Sequence, residues 1–246
     1  MSIGGGKRYR VDGRTPGQMR PVSIQMDVQK WAAASLIYKQ GDTHVLCSAT
    51  IEDRVPPHLR GKGTGWVTAE YAMLPAATSE RMQRESVRGK LGGRTYEIQR
   101  LIGRSLRGVV NTAVMGEKTV VVDCDVLQAD GGTRCASITG GYIALVLALR
   151  KAKLERAITS KLAAISVGIV DAAPLLDLEY REDSGAEVDF NVIGTDAGTY
   201  VELQGTAEGK PFDRSQMDAL LELADGGLKT LFDIQGKVLA AESPEK

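Results

Sequence analysis

The sequence is poor in the side chains that serve redox, zinc or membrane chemistry. Cys47, Cys124 and Cys135 are its only cysteines; they lie far apart and form no CxxC pair, so they read as reduced packing residues. The two histidines, His44 and His58, supply a histidine-based catalytic base or a zinc triad poorly, and structural roles fit both. No stretch approaches the ~18 apolar residues of a membrane span. The opening, with Gly4, Gly5, Gly6, Lys7, Arg8 and Arg10, holds no apolar run of the signal-peptide kind, and the expectation is a cytoplasmic protein with no membrane partner. Net charge is missing too: 31 Lys and Arg balance 31 Asp and Glu. Any site for a polyanion must therefore come from local clustering.

What is present is an ordinary globular composition, 43% hydrophobic and 25% charged over 246 residues, enough to bury a sizeable core. No segment marks a linker, so the chain reads as one domain over 1–246, with an ordered core of about 12–240 and flexible ends at 1–10 and 241–246. Ala34 to Tyr38 and Thr43 to Ile51, joined by Gln40-Gly41-Asp42, predict a β-hairpin. Between Pro56 and Gly65 and again from Pro75 to Ser79, proline, glycine and serine predict loops. From Thr95 to Val110 apolar residues recur at helical spacing, with Arg100, Arg104 and Arg107 on the opposite side. Thr119 to Leu127 reads as a strand and Ala136 to Leu149 as an apolar helix. Four β-rich runs follow, at Leu162 to Val170, Pro174 to Tyr180, Val188 to Thr195 and Thr199 to Gly205, and read as a meander feeding one sheet. Two closing helices are expected, one capped by Asp213 and a second from Leu228 to about Leu239, divided by Gly226-Gly227. Strands then helix in each half point to a mixed α/β domain and suggest an internal pseudo-repeat.

Three features carry chemistry. Gly131-Gly132-Thr133-Arg134 joins a predicted strand to a helix start, where free backbone N–H groups and the helix dipole favour an anion, and Arg134 and the Thr133 hydroxyl add donors. The alternative is a tight turn whose glycines serve geometry only, and GxxxxGK[ST] is absent. Second, Arg81, Arg84, Arg88, Lys90, Arg94, Arg100, Arg104 and Arg107 face only Glu85 and Glu97 in their segment, a cluster suited to a phosphate backbone or, more plainly, a solvated face or a subunit contact. Third, Asp177, Glu179, Glu182, Asp183, Glu187 and Asp189 gather around one predicted hairpin; such oxygens suit Mg²⁺ or Mn²⁺, though most should merely be solvated. Alternation puts Asp177 and Glu179 on one face, and Asp183 and Asp189 could converge across the turn at Ser184-Gly185. Trp66 and Tyr71, near the basic segment, could stack on bases, although burial is commoner for such residues.

The segments Asp12-Gly13-Arg14, Arg20-Pro21-Val22, GDTHVLCSATI (41–51), GWVTAEYAMLP (65–75), GGRTYEIQRLIGRSL (92–106), DCDVLQADGGTR (123–134), SVGIV (166–170), LDLEYRED (176–183) and QGTAEG (204–209) occur in this order, and the sequence closely resembles the ribonuclease PH family of phosphorolytic 3′ exoribonucleases from about Asp12 to Gln235. The resemblance implies a fold like the second domain of ribosomal protein S5, and a homo-hexamer built as a trimer of dimers. It implies that Arg94 with Gly132, Thr133 and Arg134 holds the attacking inorganic phosphate, the co-substrate, and that Asp183 and Asp189 act with a divalent metal. It also implies RNA binding through Arg81, Arg84 and Arg88, with tRNA precursors and other RNA 3′ ends as partners, tRNA and rRNA processing as the setting, and no organic cofactor. Ala76 departs from the pattern, since arginine is often found there, so the resemblance implies no tRNA contact from that position. Two other classes compete: a non-catalytic, RNA-binding ring subunit of an exosome-like assembly, and a regulatory enzyme holding ATP on the Gly-Gly-Thr-Arg turn.

Overall fold

The computed structural model describes residues 10–242. The ends expected to be flexible lie outside the described residues, apart from Arg10, which is buried, and Ala241 and Glu242, which finish the last helix.

Five strands form the first sheet: β1 (Val22–Met26), β2 (Ala34–Gln40), β3 (Thr43–Glu52), β4 (Trp66–Met73) and β5 (Thr119–Gln128), in the order β1-β2-β3-β5-β4. The predicted hairpin is β2 and β3, closed by a two-residue turn between the pair Gln40 and Thr43, with Gly41 in the left-handed region. Only β4 runs parallel to its neighbour, because the chain returns to β5 through the amphipathic helix α1 (Gly93–Arg107) and the short helix α2 (Thr112–Met115).

The second half builds its own antiparallel sheet from β6 (Leu162–Val170), β7 (Ala173–Leu176), β8 (Val188–Thr195) and β9 (Tyr200–Ala207), in the order β7-β6-β8-β9. The expected meander is corrected here: β8 crosses to the far side of β6. The predicted strand Pro174 to Tyr180 is also shorter, since β7 stops at Leu176 and Tyr180–Ser184 forms a helical turn, α4. The cause lies at Asp177, whose φ of 56° ends the extended run and whose buried carboxylate is held by Arg20.

Helix α3 (Thr133–Lys151) lies between the sheets and is buried on all sides, which explains its unbroken apolar character. Gly140 lets it approach Tyr38 and Cys47 on one side; on the other the Thr139 hydroxyl bonds the Ala164 backbone of β6. A single long helix, α5 (Arg214–Ala241), covers the outer face of the second sheet. The two predicted closing helices are thus one, capped by Asp213 as expected. Gly227 does not break it; a Cβ there would stand 2.9 Å from Leu176 Cδ1, so the glycine permits close packing instead. The layers run first sheet, α1 and α3, second sheet, α5. The three cysteines are free and buried, as their spacing implies. Among the described residues, no helix is long and apolar enough to cross a membrane.

Candidate active site

The glycine turn sits at the head of α3, where the two sheets meet. Gly131 and Gly132 both adopt positive φ, 73° and 67°. A Cβ on Gly131 would stand 2.6 Å from the Leu178 carbonyl oxygen, so the turn can lie against the chain entering α4 only as glycine. Gly132 is the N-cap of α3 and provides no side-chain acceptor, which leaves the first-turn N–H groups for another partner. Thr133 is buried, with its hydroxyl 3.0 Å from that of Tyr71 on β4. Tyr71 therefore supports the turn from inside the core and is no surface for stacking a base.

Arg134, the next residue, is half-buried; its Nη1 donates to Gln204 Oε1 of β9 at 2.8 Å. Arg94 stands in the first turn of α1, exposed and without a hydrogen bond or ion pair among the described residues. The start of α1 is secured by Glu85, whose Oε1 accepts from the Gly92 N–H at 3.2 Å and from the Thr95 hydroxyl at 2.8 Å.

Asp183 on α4 and Asp189 on β8 are half-buried and face the same two cations. Burial raises the Asp183 carboxyl above its ordinary value against the pull of Arg134, Arg94 and Arg20. Burial, then the neighbouring Asp183 and Glu208, push Asp189 up to about 6, while Arg134 and Arg94 oppose the rise. Tyr71 is likewise raised by burial and feels Arg94 and Arg134. The head of α3, the start of α1, α4 and β8 thus share one electrostatic field. The predicted convergence of Asp183 and Asp189 is present, but through a helical turn and a strand in place of a hairpin.

The other acidic residues have different roles. Asp177, expected in a metal-binding or solvated cluster, is buried and accepts from the Arg20 main-chain N–H, Nε and Nη2 at 2.7, 3.0 and 2.7 Å. Glu182 is buried against Arg10, whose Nε donates to Oε1 at 2.6 Å and whose Nη2 donates to Oε2. Glu187 accepts from the Ala172 N–H at 2.8 Å, and Glu179 forms the N-cap of α4. Arg20 also donates to the carbonyls of Asp130 and Gly131, joining the glycine turn to the chain that enters α4. Sequence reasoning missed this buried arginine group; the signal available was three arginines, Arg10, Arg14 and Arg20, crowded ahead of the first strand.

Among the described residues, no three His, Cys, Asp or Glu side chains gather as a metal cluster. Two desolvated carboxylates nevertheless fit a magnesium-type ion, which keeps several waters and completes its shell with phosphate oxygens, and they do not fit zinc.

The basic stripe divides. Arg104 pairs with Glu202 through Nε at 2.8 Å, and Arg107 lies over the Trp66 ring at 4.1 Å and donates to the Val67 carbonyl, so neither is free for RNA. Trp66 is thereby occupied as well, with His58 edge-on to it. Arg81, Arg84 and Lys90 remain exposed in the segment ahead of α1, and Arg100 on α1. Arg88 closes the 3-10 turn Glu85–Arg88, its side chain outside the described set.

Comparison with known proteins gives a consistent match. A family model described as 3′ exoribonuclease family, domain 1, matches residues 18–151, and its domain 2 companion matches 162–227. The chain is 54% identical over 235 residues to a protein named ribonuclease PH from Syntrophomonas wolfei, covering 94% of this chain and 98% of that one. Among solved structures, rice Rrp46 superposes with a TM-score of 0.77 at 19% identity over 94% of this chain and 100% of that chain. An Archaeoglobus fulgidus exosome with RNA bound to the active site gives 0.76 at 20% identity, over 92% of each chain.

Proposed function

This chain belongs to the ribonuclease PH family of 3′ exoribonucleases, and on that premise we propose that Arg94, Gly132, Thr133 and Arg134 hold its phosphate and that Asp183 and Asp189 hold its metal. The activity is phosphorolytic 3′-to-5′ trimming of tRNA, a phosphate-dependent nucleotidyl transfer. One observation carries the site assignment: two guanidinium groups from different helices face the same pair of half-buried carboxylates beside an uncapped helix start.

The chemistry asks for this combination. An incoming phosphate and the anionic diester repel each other by roughly 4 kcal/mol per charge pair at about 4 Å and an effective dielectric of about 20. Arg94, Arg134 and the first-turn N–H groups of α3 offset that repulsion and aim an oxygen at the terminal phosphorus, in line with the leaving 3′ oxygen. A divalent metal on Asp183 and Asp189, when bound, supplies further positive charge at the scissile group. The products are a nucleoside diphosphate and RNA one nucleotide shorter, and the reverse reaction adds nucleotides.

Arg81, Arg84 and Arg88 are assigned to the RNA body. The test is digestion of a 3′-extended tRNA with Mg²⁺, with and without phosphate. Diphosphates appearing only with phosphate are expected, whereas monophosphates mean hydrolysis and absent products mean an RNA-binding subunit. Arg94→Ala should raise the KM for phosphate and leave RNA affinity alone, and Arg84→Ala should do the reverse; equal effects of both on RNA binding alone would overturn the assignment. Family membership also supports a homo-hexamer, a trimer of dimers, for which light scattering should give a mass near six times the 26.4 kDa of one chain.

A further inference from the structure

Helix α1 and strand β9 come from opposite halves of the chain yet are tied by polar side chains. Glu97 and Arg104 lie two turns apart on one side of α1; Glu202 and Gln204 lie on one face of β9. Arg104 grips Glu202 with Nε and Nη2 at 2.8 and 2.7 Å. Gln204 Nε2 donates to Glu97 Oε1 at 2.8 Å, and Gln204 Oε1 accepts from Arg134 Nη1 at 2.8 Å.

Only one amide orientation satisfies both neighbours. A guanidinium can only donate and a carboxylate can only accept, so the oxygen must face Arg134 and the nitrogen Glu97. We infer that Gln204 is a positioning residue for phosphate: it aims the Arg134 guanidinium and ties it to α1, the helix that carries Arg94. The distance between the two proposed phosphate cations is then set from β9, which itself contributes no group to the anion.

The choice of glutamine over glutamate has a charge reason. A neutral acceptor orients Arg134 and leaves its positive charge available to phosphate, whereas a carboxylate would neutralise it and face Glu97 with like charge. Leucine of similar length would leave both Arg134 Nη1 and Glu97 without this partner.

This inference rests on the phosphate site proposed above, and the experiment separates the two. Phosphate binding to the intact protein is measured by calorimetry, and KM and kcat with a tRNA substrate. Gln204→Leu should weaken phosphate binding about tenfold, with the loss in the KM for phosphate and little change in kcat or in RNA affinity. Gln204→Glu should also bind phosphate more weakly, and adding Glu97→Gln, which restores a donor facing the new carboxylate, should recover part of that loss. Parental phosphate affinity in a folded Gln204→Leu variant would overturn the inference. Should that variant not fold, equal affinities for Gln204→Glu with and without Glu97→Gln would overturn it as well. If Arg134→Ala itself binds phosphate like the parent, the phosphate site is at fault, and the positioning role falls with it.

Discussion

A carboxyl group half-buried beside a second carboxyl is held against its own solvation, and Asp189 is in that position. Its pKa rises from the ordinary 3.8 to about 6, first through burial and then through Asp183. Because the folded value lies above the unfolded one, Asp189 contributes stability that is whole below about pH 4 and is lost as the pH rises through about 6. Asp189→Asn removes the charge. Without added metal, the variant should be more stable than the parent above pH 6, by on the order of 1–3 kcal/mol once solvent screening is allowed for. The gap should close below about pH 4, while turnover is abolished. Urea titrations at several pH values check this, and a stability difference that does not change with pH would remove the explanation. The residues that matter here differ in how visible they were in the sequence. The place of Arg134 was legible, because the glycines and threonine between a β-rich run and an apolar helical run already mark a strand-to-helix junction. Asp177 was not, since its partner Arg20 stands 157 positions away and no local period encodes that pairing. An acidic run therefore looked like one cluster, when folding sends Asp177 and Glu182 inward to arginines and leaves Asp183 and Asp189 facing Arg94 and Arg134.

Elements were readable wherever one face or one turn decides them. The hairpin of β2 and β3, the amphipathic α1, the apolar α3 and the strands β5, β6 and β8 all follow their sequence period closely. Those that were misread depend on a distant contact: β7 ends where Arg20 captures Asp177, and α5 continues through a glycine pair that looked like a break. The pair provides its own test, because the two glycines meet different surroundings. A Cβ on Gly226 meets nothing within 4 Å, so Gly226→Ala should stabilise the helix by about 0.5–1 kcal/mol through reduced backbone freedom in the unfolded chain. A Cβ on Gly227 would stand 2.9 Å from Leu176 Cδ1 and 3.3 Å from Ile165 Cγ1, so Gly227→Val should overpack the interface and cost about 1–3 kcal/mol. Opposite signs in thermal unfolding are expected. If both substitutions destabilised equally, α5 would not be the continuous helix described.

Across the whole molecule, the candidate site belongs to neither half alone. Arg94 and Arg134 fall in the segment 18–151, Asp183 and Asp189 in the segment 162–227, and α3 packs against both sheets within one core that takes in Leu162, Ala164 and Ile193 of the second sheet. Opening the seam would expose α3 on one side and would separate the cations from the carboxylates, so the halves should unfold together as one domain. If phosphate binds at that seam, as proposed, it stabilises only the assembled form. At a hundred times its dissociation constant it adds about 2.7 kcal/mol. For a chain of this size that corresponds to a rise in Tm of about 5–10 °C. Scanning calorimetry at fixed protein concentration should therefore show one transition without phosphate and one, displaced upward, with it. In Arg134→Ala the displacement should be largely lost while the transition itself stays single. Two separate transitions, with phosphate moving only one, would mean that the halves fold independently and that the anion is held by a single half, which is incompatible with a site assembled between the two sheets.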